Sequence, residues 1–380
     1  MNRSATALPL FAGLRPSGYA LLVSVLGLTL FGLVALSSAG RAFGSDPLFI
    51  LKRQAMWLAI AAMAFVVAYH YPLERLRGQT PWLALGGLGL LTLVLVPGVG
   101  VSVNGARRWL DLGLMRLQPS DVVKPVFALV LARCLADNQR HLRTFGRGFI
   151  GPCMVIGVFC VLILVEPDFG TAALFGVVGF AMLVVVGVRL RYLIPSVLAA
   201  VGAFAYLVAN DPVRRARITA FMDVEGNKQE GAYQLWQGML AFGVGGTSGV
   251  GLGNGRQQHS FLPEAHTDFI FPIIGEELGL AATLGIVALF ALAFLCLVWN
   301  LRKAPNLFEF ALALSCGLFL VLQALVNMGV VTGLLPTKGM SLPFISYGGS
   351  NLVVMYVLTG LMLNCFRRWD ASPITRPREL

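Results

Sequence analysis

A chain of 380 residues that is 57% hydrophobic and only 12% charged is not an ordinary soluble domain, in which about 25% of residues carry charge. A net charge of +11 would fit a nucleic-acid binder, but the basic residues are spread through short segments between apolar runs and form no nucleic-acid patch. The six cysteines (134, 153, 160, 296, 316 and 365) lie in or beside apolar runs with no C-x-x-C pair, which excludes a disulfide framework and fits small core residues.

Repeated apolar runs of about 20 residues read as helices, because a helix satisfies its own backbone polar groups in lipid. The fold class expected is an all-α integral membrane protein, a polytopic bundle of about ten transmembrane helices. A tail over residues 1–16 precedes a membrane domain, 17–366, and a polar tail follows over 367–380. Spans are expected over residues 19–36, 54–69, 82–96, 119–135, 151–165, 172–188, 192–208, 267–299, 308–331 and 350–365. The first apolar run exceeds the h-region of a signal peptide and reads as a retained anchor. Residues 99–118 read as a polar loop, residues 166–170 as a tight turn, and 211–266 as one long hydrophilic loop. The eighth run is longer than a bilayer needs and should tilt or protrude.

An even number of spans puts both termini on one side. Arg133, Arg140, Arg143, Arg147, Arg189, Arg191, Arg302, Lys303, Arg367 and Arg368 all fall on that side. By the positive-inside rule it is cytoplasmic, so the segments dense in other polar residues face outward.

Four outward segments stand out. The first, VNGARRWLDLGLMRLQPSDVVK over 103–124, holds Arg107, Arg108 and Trp109, guanidinium forks beside an indole that suit a phosphate and a sugar face. Gln118 can cap a helix that begins at Pro119, and Asp121 and Lys124 can pair at i,i+3. The second holds Glu166 and Asp168 within five residues; they are either solvated or able to bind a cation, although two oxygens alone make no metal site.

The third, 211–266, carries Gln234 and a glycine-rich run over 243–255. No strand precedes that run, which excludes a dinucleotide fingerprint, and its glycines allow close backbone approach to something. It leads into FLPEAHTDFIFPIIGEE over 261–277, where Glu264, His266 and Asp268 stand at the mouth of an apolar run that itself contains Glu276 and Glu277. Carboxylates in a membrane span are costly and mark function by default; an acidic helix cap is the simpler reading of Asp268. In the fourth, LLPTKGMSLPFISYGGS over 334–350, Lys338 is framed by Pro and Gly as a placed charge. Carboxylates, guanidinium groups and an ammonium thus converge on one face of an apolar bundle. That suits an amphiphilic substrate with a lipid tail, an anionic phosphate and a polar head.

At NGARRW (104–109), QPSD (118–121), EPDFGT (166–171), YQLWQG (233–238), the long run over 249–279 and LLPTKGMSLPFISYGG (334–349), the sequence resembles the SEDS family (shape, elongation, division and sporulation), in its cell-division branch. The resemblance covers nearly the whole chain. It implies a ten-helix peptidoglycan glycosyltransferase in the bacterial cytoplasmic membrane, polymerising lipid II onto a nascent glycan strand beside a class B penicillin-binding protein and other division proteins. On its positions Asp268 matches the essential aspartate, with Glu264 and His266 as neighbours. Arg107, Trp109 and Lys124 match polar residues of the first outer loop, and Lys338 the lysine of the last. The same resemblance leaves a divalent cation, Mg or Mn, on Asp268 as an alternative to a proton-accepting role, and no nucleotide or organic cofactor. Elongation-type polymerase, lipid II flippase and scaffold are the competing readings. Asp121 stands where the family has glutamate, Val244 interrupts a GSGG, and Asn351 replaces a serine.

Overall fold

The computed structural model describes residues 14–39, 48–103, 106–111, 113, 116–257, 262 and 266–371. Its helices are α1 (Pro16–Ala39), α2 (Phe49–His70), α3 (Leu73–Leu95), α4 (Pro119–Asp137), α5 (Gly151–Val165), α6 (Phe169–Val186), α7 (Leu190–Ala209), α8 (Pro212–Met222), α9 (Tyr233–Gly245), α10 (Ile270–Leu301), α11 (Leu307–Val331) and α12 (Gly349–Ala371). Nine among the described residues are long and apolar enough to cross a membrane: α1, α2, α3, α5 with the π-helical turn Phe145–Ile150 before it, α6, α7, α10, α11 and α12. The expected fourth span, α4, has 19 residues, about 28 Å of helix at 1.5 Å each. Asp121, Lys124 and Arg133 within it set it apart from the apolar set.

α4 is nonetheless a central pillar. It packs against α3, α5, α6, α11 and α12, and Phe127 on it meets Phe159, Phe175 and Phe319 with ring centroids 4.9–5.8 Å apart. Around this aromatic core α2 pairs with α12 and α1 with α10. α7 lies at the rim: of its residues only Leu193 is buried, as for a helix set in lipid on nearly every side.

Three expectations are corrected. The polar stretch before α4 is not a loop but a small antiparallel sheet, in which β1 (Gly100–Val103) pairs with β2 (Ala106–Asp111) and β2 with β3 (Arg116–Leu117). The stretch 211–266 is not all hydrophilic loop. It contains the amphipathic α8, capped by Asp211, and the mostly apolar α9, which packs on α10.

The eighth span neither tilts nor protrudes as one rod. α10 breaks at Gly279, whose φ of 75° is left-handed backbone. The 22 residues from 280 to 301 suffice to cross a bilayer, and the nearly fully buried segment before the break is a separate half-helix inside the protein.

The glycine-rich run folds back onto this break. Val250 and Gly251 donate their backbone N–H groups to the carbonyls of Glu276 and Glu277, at 2.9 and 3.0 Å. A Cβ at Gly245 or Gly249 would overlap the α10 backbone. The close partner that these glycines admit is therefore α10 itself, not a ligand.

Candidate functional site

The last loop, 332–348, is held over one end of the bundle from beneath and from the side. Leu342, Phe344 and Ile345 are buried, and the backbone of Ile345 lies so close to Gly32 of α1 that a Cβ there would overlap it. Asn327 of α11 donates through Nδ2 to the carbonyl oxygens of Asp268, at 2.8 Å, and Met340, at 2.6 Å. The backbone N–H of Tyr347 donates to the carbonyl of His266 at 2.9 Å, and the two rings lie 5.6 Å apart. The segment bearing Asp268 and the loop bearing Lys338 are thus laced together by one backbone hydrogen bond and by the Asn327 amide that bridges their carbonyls.

Asp268 is not a helix cap. α10 begins at Ile270 with Phe269 at the N-cap position and no side-chain cap hydrogen bond. Instead Oδ2 of Asp268 lies against Gly339, where a Cβ would collide with it. The next residue along, Lys338, reaches the other way. Its Nζ pairs with Oδ1 of Asp168 at 2.7 Å, and its stem crosses Gly170 so closely that a side chain there would displace the lysine.

The turn between α5 and α6 is buried rather than solvated. Asp168 caps α6, accepting from the backbone N–H of Thr171 at 3.3 Å and from its hydroxyl at 2.8 Å, while Gln118 donates from Nε2 at 3.1 Å. Burial would raise the Asp168 carboxyl, but Lys338, Arg108 and Thr171 together hold it below the usual carboxylate range. Glu166 is 0% exposed, and neither of its oxygens meets a hydrogen-bond donor among the described residues. Burial, reinforced by the Asp168 charge and partly offset by Arg108, pushes its carboxyl up to about 8.

Arg107, Arg108 and Trp109 do not act as one patch. On strand β2 side chains alternate between faces, so Arg108 is directed opposite to its neighbours; it is half-buried and close enough to Glu166 and Asp168 for its charge to act on both. Arg107 is exposed. Gln118 precedes α4 as expected but spends its amide on Ser120 and Asp168 rather than on the helix end. Lys124 is sealed among protein groups, with Nζ 2.7 Å from both Asp121 Oδ1 and Gln323 Oε1. Gln323 in turn donates to the Ser341 carbonyl and Asn351, and Ser350 to Asp121.

Glu276 is a strut. Its carboxylate accepts from the backbone N–H groups of Arg256, at 2.8 Å, and Gln257, while Glu277 accepts from Ser38 Oγ, at 2.7 Å, and from the N–H groups of Gly253 and Gly255. Gln234 is half-buried on α9. Glu264 lies outside the described residues. Sequence reading missed Gln323, Asn327 and Gly339. The first two sit four apart inside an apolar run, a signal for polar groups facing a protein interior.

Among the described residues no group of three His, Cys, Asp or Glu side chains gathers to hold a metal ion. A Mg²⁺ bound through one or two carboxylates plus substrate phosphates needs no such cage, so the donor set fits only that form. What the described groups do offer is a carboxylate, Asp268, against the loop whose next residue, Lys338, pairs with a buried carboxylate that a guanidinium also reaches.

The fold and this cluster define a multi-pass helical membrane protein with a polar site built from the loops at one end of its bundle. The chain belongs to the FtsW, RodA and SpoVE family of cell cycle proteins, whose sequence profile matches residues 18–369. It is 40% identical over 345 residues to a probable peptidoglycan glycosyltransferase FtsW of Halorhodospira halophila, covering 90% of this chain and 87% of that one. Its fold is similar to the rod shape determining protein RodA of Thermus thermophilus, with a TM-score of 0.70, 27% identity, and coverage of 94% and 98% of the two chains. It is also similar to a chain from a peptidoglycan synthase complex that coordinates polymerization and crosslinking, with a TM-score of 0.79, 27% identity, and coverage of 93% and 98%.

Proposed function

We propose that this chain is a peptidoglycan glycosyltransferase that polymerises lipid II at the outer face of the bacterial cytoplasmic membrane during cell division. The observation that carries the reading is the seam where Gly339 lies against the Asp268 carboxylate while its neighbour Lys338 pairs with Asp168. A base and a movable cation then stand on adjoining elements, as glycosyl transfer from a pyrophosphate requires.

In this reading the sugar hydroxyl of one lipid II attacks the anomeric carbon of the growing strand. The carbon–oxygen bond to undecaprenyl pyrophosphate breaks, the pyrophosphate takes the bonding electrons, and the hydroxyl proton passes to Asp268. A single displacement inverts the anomeric centre. Lys338 and Arg108 balance the leaving charge, with Arg107 and Trp109 on the open face of β2 toward the sugar. Lys124, bonded on two sides, holds α4 to α11 and α12 beneath the site rather than meeting phosphate.

The division role is supported by the FtsW name of the relatives and by the Pro-Thr-Lys-Gly sequence at 336–339. The termini lie in the cytoplasm and α4 completes ten spans, in line with the basic segments on the termini side. The partner is a class B penicillin-binding protein, a reading in keeping with the likeness to a synthase-complex chain. The test is glycan-strand formation from lipid II by the purified protein, alone and with that partner. Absence of polymer in both, with lipid II crossing vesicles instead, would replace the polymerase by a flippase.

A further inference from the structure

Glu166 has no part in the chemistry above, yet it is the described carboxylate most at odds with its surroundings. An ionised carboxylate buried without a hydrogen-bond donor bears its whole desolvation cost. Neither oxygen of Glu166 has such a donor among the described residues, and the side chain is fully buried. Two residues on, Asp168 absorbs the available donors: Lys338, Gln118 and Thr171. Among the described residues the cation whose charge reaches Glu166 is Arg108, whose Nε is itself buried with no partner there.

The charged groups at this junction are Glu166 and Asp168 on the α5–α6 turn, Arg108 on β2 and Lys338 on the last loop. With Glu166 ionised they cancel. With Glu166 neutral they leave one positive charge, and Lys338 has a single carboxylate to leave when an anion arrives.

Building on the polymerase reading, we infer that Glu166 is a positioning residue: held as the neutral acid, it keeps the Arg108–Asp168–Lys338 cluster net positive and Lys338 transferable from Asp168 to a lipid pyrophosphate. Glu166 is enclosed and acts through the Lys338–Asp168 pair, not by touching substrate. The sign follows directly. Ionisation of Glu166 adds a negative charge behind Lys338, tightens its hold on Asp168 and repels the incoming pyrophosphate. Affinity for pyrophosphate lipid is therefore full below about pH 8 and falls above it.

The experiment measures binding of undecaprenyl pyrophosphate to the purified full chain in nanodiscs between pH 6.5 and 9.5, beside polymerisation of lipid II. In wild type the dissociation constant is expected to rise about fivefold between pH 8 and 9, as the neutral fraction falls from about one half to about one tenth. Glu166→Gln, which fixes an uncharged group of the same shape, should show a flat profile over that range. Lys338→Gln should bind more weakly at every pH and lose the alkaline rise, because the effect travels through the lysine.

A wild-type profile flat to pH 9.5 overturns the inference. So does an alkaline rise that survives in Glu166→Gln, or one that survives in Lys338→Gln. If the glutamine variant of Glu166 does not fold, the wild-type and Lys338→Gln profiles still decide the matter. Failure of wild type to polymerise lipid II both alone and with its penicillin-binding partner, with the binding profile as expected, would reject the polymerase reading and leave the role of Glu166 standing.

Discussion

Replacing Gly339 by alanine is the sharpest probe of the seam between the last loop and Asp268. The glycine is solvent-exposed, and its backbone is outside the left-handed region, so alanine is allowed there by its own φ. The added methyl would overlap Oδ2 of Asp268. Carbon and oxygen atoms settle at roughly 3.5 Å, so the carboxylate must give way by about 1 Å. A displacement of that size at a reacting group costs about 10²-fold in rate. Stability should not follow, since glycine to alanine at a permitted backbone lowers the entropy of the unfolded chain, an effect of about 0.4–1 kcal/mol in favour of folding. The assay is initial-rate polymerisation of lipid II by purified complexes, paired with thermal unfolding in the same detergent. The same alanine placed in an Asp268→Asn background should cost little more, because both changes act through one carboxylate. An alanine variant within about threefold of wild type would show that the position of Asp268 does not govern the reaction, since a 1 Å shift at a reacting group should cost far more.

Asp268→Asn itself keeps shape while removing the basic oxygen, and should lower polymerisation by about 10²–10⁴-fold with binding of the penicillin-binding partner retained in pull-downs; near-normal polymer would take Asp268 out of the chemistry. Lys338→Ala should raise KM for lipid II with Lys338→Arg recovering part of the loss, and equal KM values across the series would remove Lys338 from substrate binding. Reporters fused after Arg143 and Lys303 should report cytoplasm and one near Asn227 periplasm; a periplasmic signal at Arg143 would put Asp268 on the wrong side of the membrane for extracellular polymerisation. Polymerisation that collapses in chelator and returns with Mg²⁺ would make Asp268 a metal ligand rather than a base, whereas full activity in chelator is expected from the proton-accepting role.

The helices were legible because lipid forces their backbone bonds inward and leaves long apolar runs in the sequence. The start of α4 was legible too, with Pro119 as its first residue, a position that needs no N–H. The sheet before it was not, although Asn104-Gly105 stands between two short alternating runs and is the strongest local hairpin signal. Its strands of four, six and two residues were outweighed by the polarity of the stretch.

At the site, the motif residues Asp268 and Lys338 were found from sequence, but not what each touches. Asp168 meets Lys338 across 170 positions, and no local pattern reports such a pairing. Glu166 misled for a related reason. Proline and glycine around it spell an exposed turn, whereas packing of β2 and the last loop over that turn buries it. The carboxylates in α10 carried a functional expectation for residues in a membrane span, and Glu276 proved to bind its own chain.

That last arrangement has a bearing on which substitutions the protein tolerates. The strap over 253–257 is gripped by its main chain: Glu276 and Glu277 take hold of amide hydrogens, not of side chains. The exposed Arg256 could therefore exchange for many residue types without loosening the grip, whereas the buried Gln257 is confined in size. Proline is the exception, because it has no amide hydrogen to offer, and at either position it would strand a buried carboxylate oxygen at a cost of about 1–3 kcal/mol or more. Variation along the strap should look free by chemistry and strict by backbone, a lineage signature that alignment of side chains alone would misread as neutrality.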